Sequence, residues 1–495
     1  MASTAIRALT IAAAVVLLPV IATAQQGWGA PFGLGPAPDT TPGVPAVAVD
    51  HAGNVIVAWR AEVGAGTVVR ARRKSATDAV WSAPVDLSAP AAAVPGNPIA
   101  AVDDAGNVVV IWRQGAIFAR RYSVTTDSWG GPVVITPAPA PADCTISEGI
   151  RVAVDPVGRA FVAWAVFCPA AGFLQLTFTV HVARYAPDTG GVIETRLSDP
   201  TLGRNVEVDV AADGLGNATV VWPQPGPAYV VQAATFTAAS GTWSAPASVL
   251  PNPYDAIVDG VRVASDALGH MTAIWRVIDA RNFGAIRVAR YDASSRAWAH
   301  MTDLGTVVWP LGVSQPTLAV DPAGNVSAVW EQNESTMRHA RAARYDAATF
   351  TWSAPLDLSP PANLPPGASV ATDWIGNTIA VWSERWGAGP LGYKIRSARL
   401  TSGGDISVTD LAFGAYNTDA VLAVGAGGHV TIAWIRTVVT APTARAVEAV
   451  EWQATPAAPA ITCITPGDGM LTVTVSPPPV REPAFDSSTT ASSRP

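Results

Sequence analysis

Val47-Ala48-Val49-Asp50-His51-Ala52-Gly53-Asn54-Val55-Ile56-Val57-Ala58-Trp59 is one copy of a unit that runs the length of the chain. It returns as Ala101 to Trp112, Val152 to Trp164, Val210 to Trp222, Val263 to Trp275, Ala319 to Trp330, Val370 to Trp382 and Ala423 to Trp434. The closing tryptophans are 53, 52, 58, 53, 55, 52 and 52 residues apart. A fixed period of this size marks a repeat architecture. Alternating Val, Ile and Ala on both sides of an Asp-x-x-Gly-Asn turn read as a β-hairpin. The aspartate can bond the turn backbone, and Gly and Asn tolerate positive φ.

Each unit continues in the same way. After the tryptophan comes a variable loop, then a third strand such as Val68-Val69-Arg70-Ala71-Arg72, later ending Ala183-Arg184-Tyr185, Ala289-Arg290-Tyr291 and Ala343-Arg344-Tyr345. A fourth strand follows, Trp81-Ser82-Ala83-Pro84-Val85-Asp86-Leu87, echoed at Trp243, Trp298 and Trp352. Four short strands per unit predict the blade of an all-β, eight-bladed β-propeller. The eighth unit has a third strand near Arg445 to Val450 but lacks the Trp-Ser-Ala-Pro strand. The missing piece stands at the other end of the chain, as Trp28-Gly29-Ala30-Pro31-Phe32-Gly33-Leu34. The N-terminal strand is therefore expected to complete the last blade and remove the open sheet edges.

Bulk properties bound the function. Of 495 residues, 49% are hydrophobic and 14% charged, enough apolar content for a large core. The net charge of −7 and the lack of a basic stripe exclude a nucleic-acid binder. Lysine occurs only at Lys74 and Lys394; this bias towards arginine is expected of a GC-rich bacterial genome. Arg7, the apolar run Leu9 to Ile21 and Ala22-Thr23-Ala24 read as a signal peptide over 1–24. No later segment has the length and apolarity of a membrane span. The expected product is secreted, periplasmic or cell-surface, in a compartment where cysteines pair. The expected domains are 25–455 for the propeller, 456–480 for a partial second domain and 481–495 for a disordered tail.

The Asp-x-x-Gly-Asn hairpins resemble the repeats of bacterial secreted β-propellers, including the broad NHL-like group, over about Trp28 to Trp452. They depart from the sialidase Asp-box, Ser-x-Asp-x-Gly-x-x-Trp, because Trp59 stands nine residues after Asp50, not five. Pro459-Ala460-Ile461-Thr462-Cys463-Ile464-Thr465-Pro466-Gly467-Asp468-Gly469-Met470-Leu471-Thr472-Val473 resembles the opening of a fibronectin type III domain. That fold needs roughly 100 residues, so the copy here reads as truncated.

In such a ring the first strand of each blade is innermost. The turns carrying Asp-x-x-Gly-Asn share one face. The variable loops and blade-to-blade connections share the other, where a ligand site is expected. Candidate ligand-binding aromatics there are Trp309, Trp386, Tyr254 and Tyr416, whose rings can stack on sugars. Candidate charged groups are Arg60, Arg113, Arg276, Glu331, Glu384 and Arg436, one or two positions after the repeated tryptophan; their recurrence favours a structural role. Glu331 and Glu384 are a candidate carboxylate pair for glycoside hydrolysis. The third-strand arginines (Arg72, Arg120, Arg184, Arg290, Arg344, Arg399) are expected to stack on tryptophan or pair with carboxylates between blades. No catalytic residue, metal ligand set or cofactor motif stands out. Cys144 and Cys168 flank the third unit's hairpin at one end and are expected to form a disulfide, with Cys463 unpaired. The favoured function is a noncatalytic binding or adhesion module for a glycan, a surface polymer or a cell-surface protein. The alternative is a polysaccharide-acting hydrolase or lyase, which requires nonrepeated acids, arginines or tyrosines gathered in the central funnel.

Overall fold

A computed structural model describes residues 27–453 and the backbone of 460–467 and 470–476. Outside the description lie 36–41, 65, 79, 92, 138–142, 171–175, 204–205, 227–228, 250–256, 279–282, 309–312, 314, 335–336, 360–366, 386–391, 416, 426–427 and 439–443. The described chain is all β, in eight blades of four antiparallel strands. The innermost strands begin at Ala46, Ile99, Arg151, Asp209, Ile257, Thr317, Ser369 and Asn417. Each contacts the innermost strand of the next blade, and the eighth returns to the first, so the ring is closed.

Closure follows the expected route. Phe32 pairs with Ala449 and Gly33 with Glu448 in the third strand of blade 8. Gly29 N–H donates to Glu451 C=O and Leu34 N–H to Val447 C=O, both at 2.9 Å. The outer strand is interrupted in this blade and wherever the Trp-x-x-Pro sequence recurs, as between Thr351–Trp352 and Leu356–Asp357. Proline has no N–H to give the ladder, so only an edge strand accommodates it. Blades 5 and 7 lack that proline and their outer strands, Ala297–Val308 and Ile406–Ala415, run unbroken.

The turn motif explains itself in hydrogen bonds. Asp50 Oδ1 accepts the Asn54 backbone N–H at 2.8 Å, and its Oδ2 accepts the Asn54 side-chain amide at 2.6 Å. Asn54 Oδ1 then accepts the N–H of Ala76 in the turn between strands three and four. One dipeptide spacing thus ties both turns of a blade together. Asp213, Asn217 and Ala238 repeat it, as do Asp321, Asn325 and Ala347. In blade 5, His270 stands for Asn and its Nδ1 takes the Ala293 N–H at 3.2 Å. The glycine serves a second purpose. Gly106 has φ +88°, and a Cβ there would lie 2.7 Å from Asp50 Oδ2 of the preceding blade. Only glycine allows that turn and that approach.

Between blades the core is built from the repeated tryptophans. Trp59, Trp112, Trp164, Trp222, Trp275, Trp330, Trp382 and Trp434 are all buried. Trp330 packs with Ile274, Ile286 and Val288 of blade 5, and Trp382 with Val329 and Ala342 of blade 6. Each tryptophan therefore points back to the preceding blade.

The third-strand arginines do bridge blades, but to rings and carbonyls as much as to carboxylates. Arg184 lies over Phe236 and Arg290 over Tyr345 in the following blade. Arg344 donates to Gly376 C=O at 2.7 Å and Thr401 C=O at 3.1 Å. Arg399 lies over Trp452, with Asp373 of its own blade at 3.8 Å. Arg72 and Arg120 instead donate backwards, to Leu34 and to Asp86 C=O. Arg184 is opposite the residue three before its tryptophan, Phe161, whereas Arg72 is opposite Val57, two before Trp59. One residue along a strand turns the side chain to the other face. The true counterpart in blade 1 is Arg73, which lies over Tyr122 of blade 2.

Cys144 and Cys168 form a disulfide with Cα atoms 4.2 Å apart. Strands two and three of blade 3 are long, Ala160–Pro169 and Leu176–Ala186. His181 sits inside the third strand, with its ring stacked on Trp164. Ala460–Gly467 and Met470–Ser476 form a separate antiparallel hairpin. The signal-peptide reading and the tail at 481–495 lie outside the described residues, as do 456–459, 468–469 and 477–480 of the expected 456–480 segment. Among the described residues, no helix is long and apolar enough to cross a membrane.

Candidate functional site

The loop face carries a cleft of about 590 Å³ where blades 5, 6 and 7 meet. Its walls come from innermost strands (Arg262, Thr317), from second strands (Arg276, Glu331, Asn333), from the third strand of blade 6 (Arg338) and from the incoming connections at Gln315 and Gly367. The four candidate aromatics, Trp309, Trp386, Tyr254 and Tyr416, lie outside the described residues.

The charged candidates separate into two sets by strand parity. Arg60, Arg113, Arg276 and Glu331 immediately follow the tryptophan and face the next blade, where each clasps its incoming chain. Arg60 donates to Pro95 C=O at 3.4 Å. Arg113 pairs with Glu148. Arg276 donates to Val313 C=O at 3.0 Å. Glu331 accepts the Gly367 N–H at 3.1 Å. Burial holds the Arg60 and Arg113 guanidinium pKa values below the usual value. Glu384 and Arg436 stand one residue further on and turn the other way. Trp382 Nε1 is 3.5 Å from Glu384 Oε2, as Trp330 Nε1 is 3.3 Å from Gln332. Arg436 pairs with Glu448 at 2.7 Å.

The structure brings Arg276 and Glu331 together on one cleft wall and leaves Arg60, Arg113, Glu384 and Arg436 off it. Glu331 lines the cleft and Glu384 does not. Glu331 has Arg338 at 3.5 Å in its own blade. Glu384 has Lys394 at 3.3 Å and Arg396 at 3.0 Å in its own, with Asp410 completing the network.

The cleft is a set of fixed ion pairs. Arg276 holds Asp259 through Nε at 2.7 Å and through a second short contact, and that bond raises the arginine above its usual value. Arg262 holds Glu207 at 2.9 Å, and Glu207 also accepts from Gln315 at 2.9 Å. Burial pushes the Glu207 carboxyl up, but Arg262, Gln315 and Arg151 outweigh it and keep it below the usual range. Behind this pair Arg151 lies 3.6 Å from Asp209, which also accepts the Val263 N–H at 2.8 Å. Burial raises the Asp209 carboxyl against the pull of both arginines. Burial likewise pushes Glu331 up to about 7, against Arg338 and the Gly367 N–H.

Arg151, Asp209 and Arg262 were not among the expected site residues, although the sequence marks them. Counting four residues back from the turn aspartate, or its equivalent Gly425, the eight units read Ala46, Ile99, Arg151, Asp209, Arg262, Thr317, Ser369 and Val421. Three successive blades place a charge on the innermost strand where others have apolar or small residues. These charges stand on the first strand of the hairpin, whereas every charged candidate follows the tryptophan on the second.

No protein-family model and no curated protein matches the chain. Among solved structures, it is similar to a protein of unknown function from Dyadobacter fermentans DSM 18053, at 11% identity over 86% of this chain and 99% of that one, with a TM-score of 0.42. It is similar to the polysaccharide lyase Uly1 at 10% identity over 74% and 91%, with a TM-score of 0.47. It is also similar to the NanB sialidase from Streptococcus pneumoniae at 10% identity over 85% and 70%, with a TM-score of 0.35. Likenesses this remote assign neither ligand nor reaction.

Proposed function

We propose that the protein is an exported β-propeller that binds a glycan, on a cell surface or a polymer, in the cleft between blades 5, 6 and 7. The observation that carries this reading is the cleft itself: a volume suited to a small ligand, walled by polar side chains that are already fixed in place. Arg276 and Arg262 are each held by a carboxylate, so ordering them on binding costs little. Export is supported by the N-terminal sequence and the Cys144–Cys168 disulfide.

A polysaccharide-acting hydrolase or lyase is the second reading, and one observation favours it. Glu331 is a buried carboxyl on the cleft wall that titrates near neutrality, the property of a proton-transfer group. A glycan array with the purified exported protein, followed by a product assay on every hit, separates the two. Binding without turnover supports the module; new reducing or unsaturated ends supports the enzyme; an empty array overturns both.

A further inference from the structure

We propose that the cleft takes a neutral, polyhydroxylated sugar chain in preference to an acidic one. The proposal rests on the glycan reading above and narrows it to a class of ligand.

Charge balance is the first argument. Arg262, Arg276 and Arg338 reach the cleft wall, and Glu207, Asp259 and Glu331 hold them at 2.9, 2.7 and 3.5 Å. Three guanidinium groups meet three carboxylates, so with all of them ionised these wall pairs carry no spare positive charge. A ligand carboxylate or sulfate would have to displace one of the internal acids. Glu331 is 1% exposed and cannot turn out to water. Displacing it would leave a buried charge without its partner, a far larger cost than an anionic ligand could repay from one guanidinium.

Hydrogen-bond chemistry is the second. A paired arginine and carboxylate present donors and acceptors side by side. A sugar hydroxyl is both donor and acceptor, so adjacent hydroxyls can satisfy an N–H and a carboxylate oxygen together. The amides of Gln315 and Asn333 on the same wall offer the same pairing. Ala368, half-buried at the cleft edge, adds apolar surface for a C–H group of a ring.

Calorimetric titration of the full chain tests this, with neutral oligosaccharides, oligouronates and sulfated oligosaccharides as probes. The titration is run near pH 8, about a unit above the Glu331 value, so that its negative charge is present. At least one neutral probe should bind, and its affinity should change less than about twofold between about 50 and 500 mM salt, because no net charge is screened. Asn333→Ala should weaken binding about tenfold with an unchanged melting temperature. Arg262→Ala should weaken it further; Asn333→Ala keeps the test valid if that variant misfolds. Binding confined to uronates or sulfated probes, or an affinity that falls steeply with salt, overturns the proposal and leaves the glycan reading standing. Neutral binding untouched by Asn333→Ala overturns the placement in this cleft. Binding of no probe at all overturns the glycan reading and the proposal with it.

Discussion

Glu331 shows how a single position can obey a repeat and still acquire chemistry. Its place after Trp330 is a structural one, clasping Gly367 as Arg60, Arg113 and Arg276 clasp their own neighbours. A carboxyl in that place is desolvated and titrates at about 7, against 4.5 in the open chain. Between those values the folded protein keeps a proton that the unfolded chain has lost, so the stability contributed by this group falls as pH rises through the window. The span corresponds to about 3 kcal/mol. Glu331→Gln should remove it, becoming more stable relative to the parent as pH is raised from about 5 to about 8. Urea midpoints for both proteins across that range measure it, and parallel curves would contradict the assignment. Arg338 pairs with Glu331 itself, and in blade 7 Glu384 and Asp410 pair with Lys394 and Arg396.

At the scale of elements, blade 3 departs most from its siblings. Its second and third strands extend into a long ribbon, and the disulfide joins that ribbon to the chain entering the blade. Thr145 pairs with Phe167, which puts Cys144 directly across from Cys168. Peptide mapping without reduction should recover the two cysteines in one linked species. Replacing both by serine should cost roughly 3 kcal/mol, the loop-closure entropy of a bridge spanning 24 residues. Equal stability of the serine variant and the oxidised parent would show that the bridge constrains nothing. The cysteines' meeting was legible because a hairpin brings the residues flanking it to the same end. The ribbon was not, because a run such as Val166-Phe167-Cys168-Pro169 after the tryptophan carries no period that separates loop from extended sheet.

The whole molecule depends on one strand from the far end of the chain. Leu34 is 1% exposed, Phe32 packs on Trp81 at 5.6 Å and Trp28 on Trp452 at 5.4 Å. Deleting residues 27–34 should lower stability by several kcal/mol, since it removes this buried surface and bares the edge of blade 8. Melting curves and size-exclusion chromatography should show a lower transition and self-association through the open edge; an unchanged monomer would refute closure as the lock of the ring. What the sequence determined by itself was everything local or periodic. Eight hairpins, seven with the turn aspartate and one with Gly425, define the blades, the Trp-x-x-Pro segments mark fourth strands, and a missing strand at one end matches a spare one at the other. Those features are legible because turn hydrogen bonds and strand alternation act over a few residues. The cleft was decided only by the tertiary structure. Arg151, Asp209, Arg262 and Glu331 come from four different blades, and strand parity turns Glu331 onto the wall while Glu384, one position further along its unit, turns away. Ring geometry joins Arg262 to Glu207, 55 residues apart, and Asp209 to Val263, 54 apart, and burial, which raises the Glu331 pKa, exists only once the blades have packed.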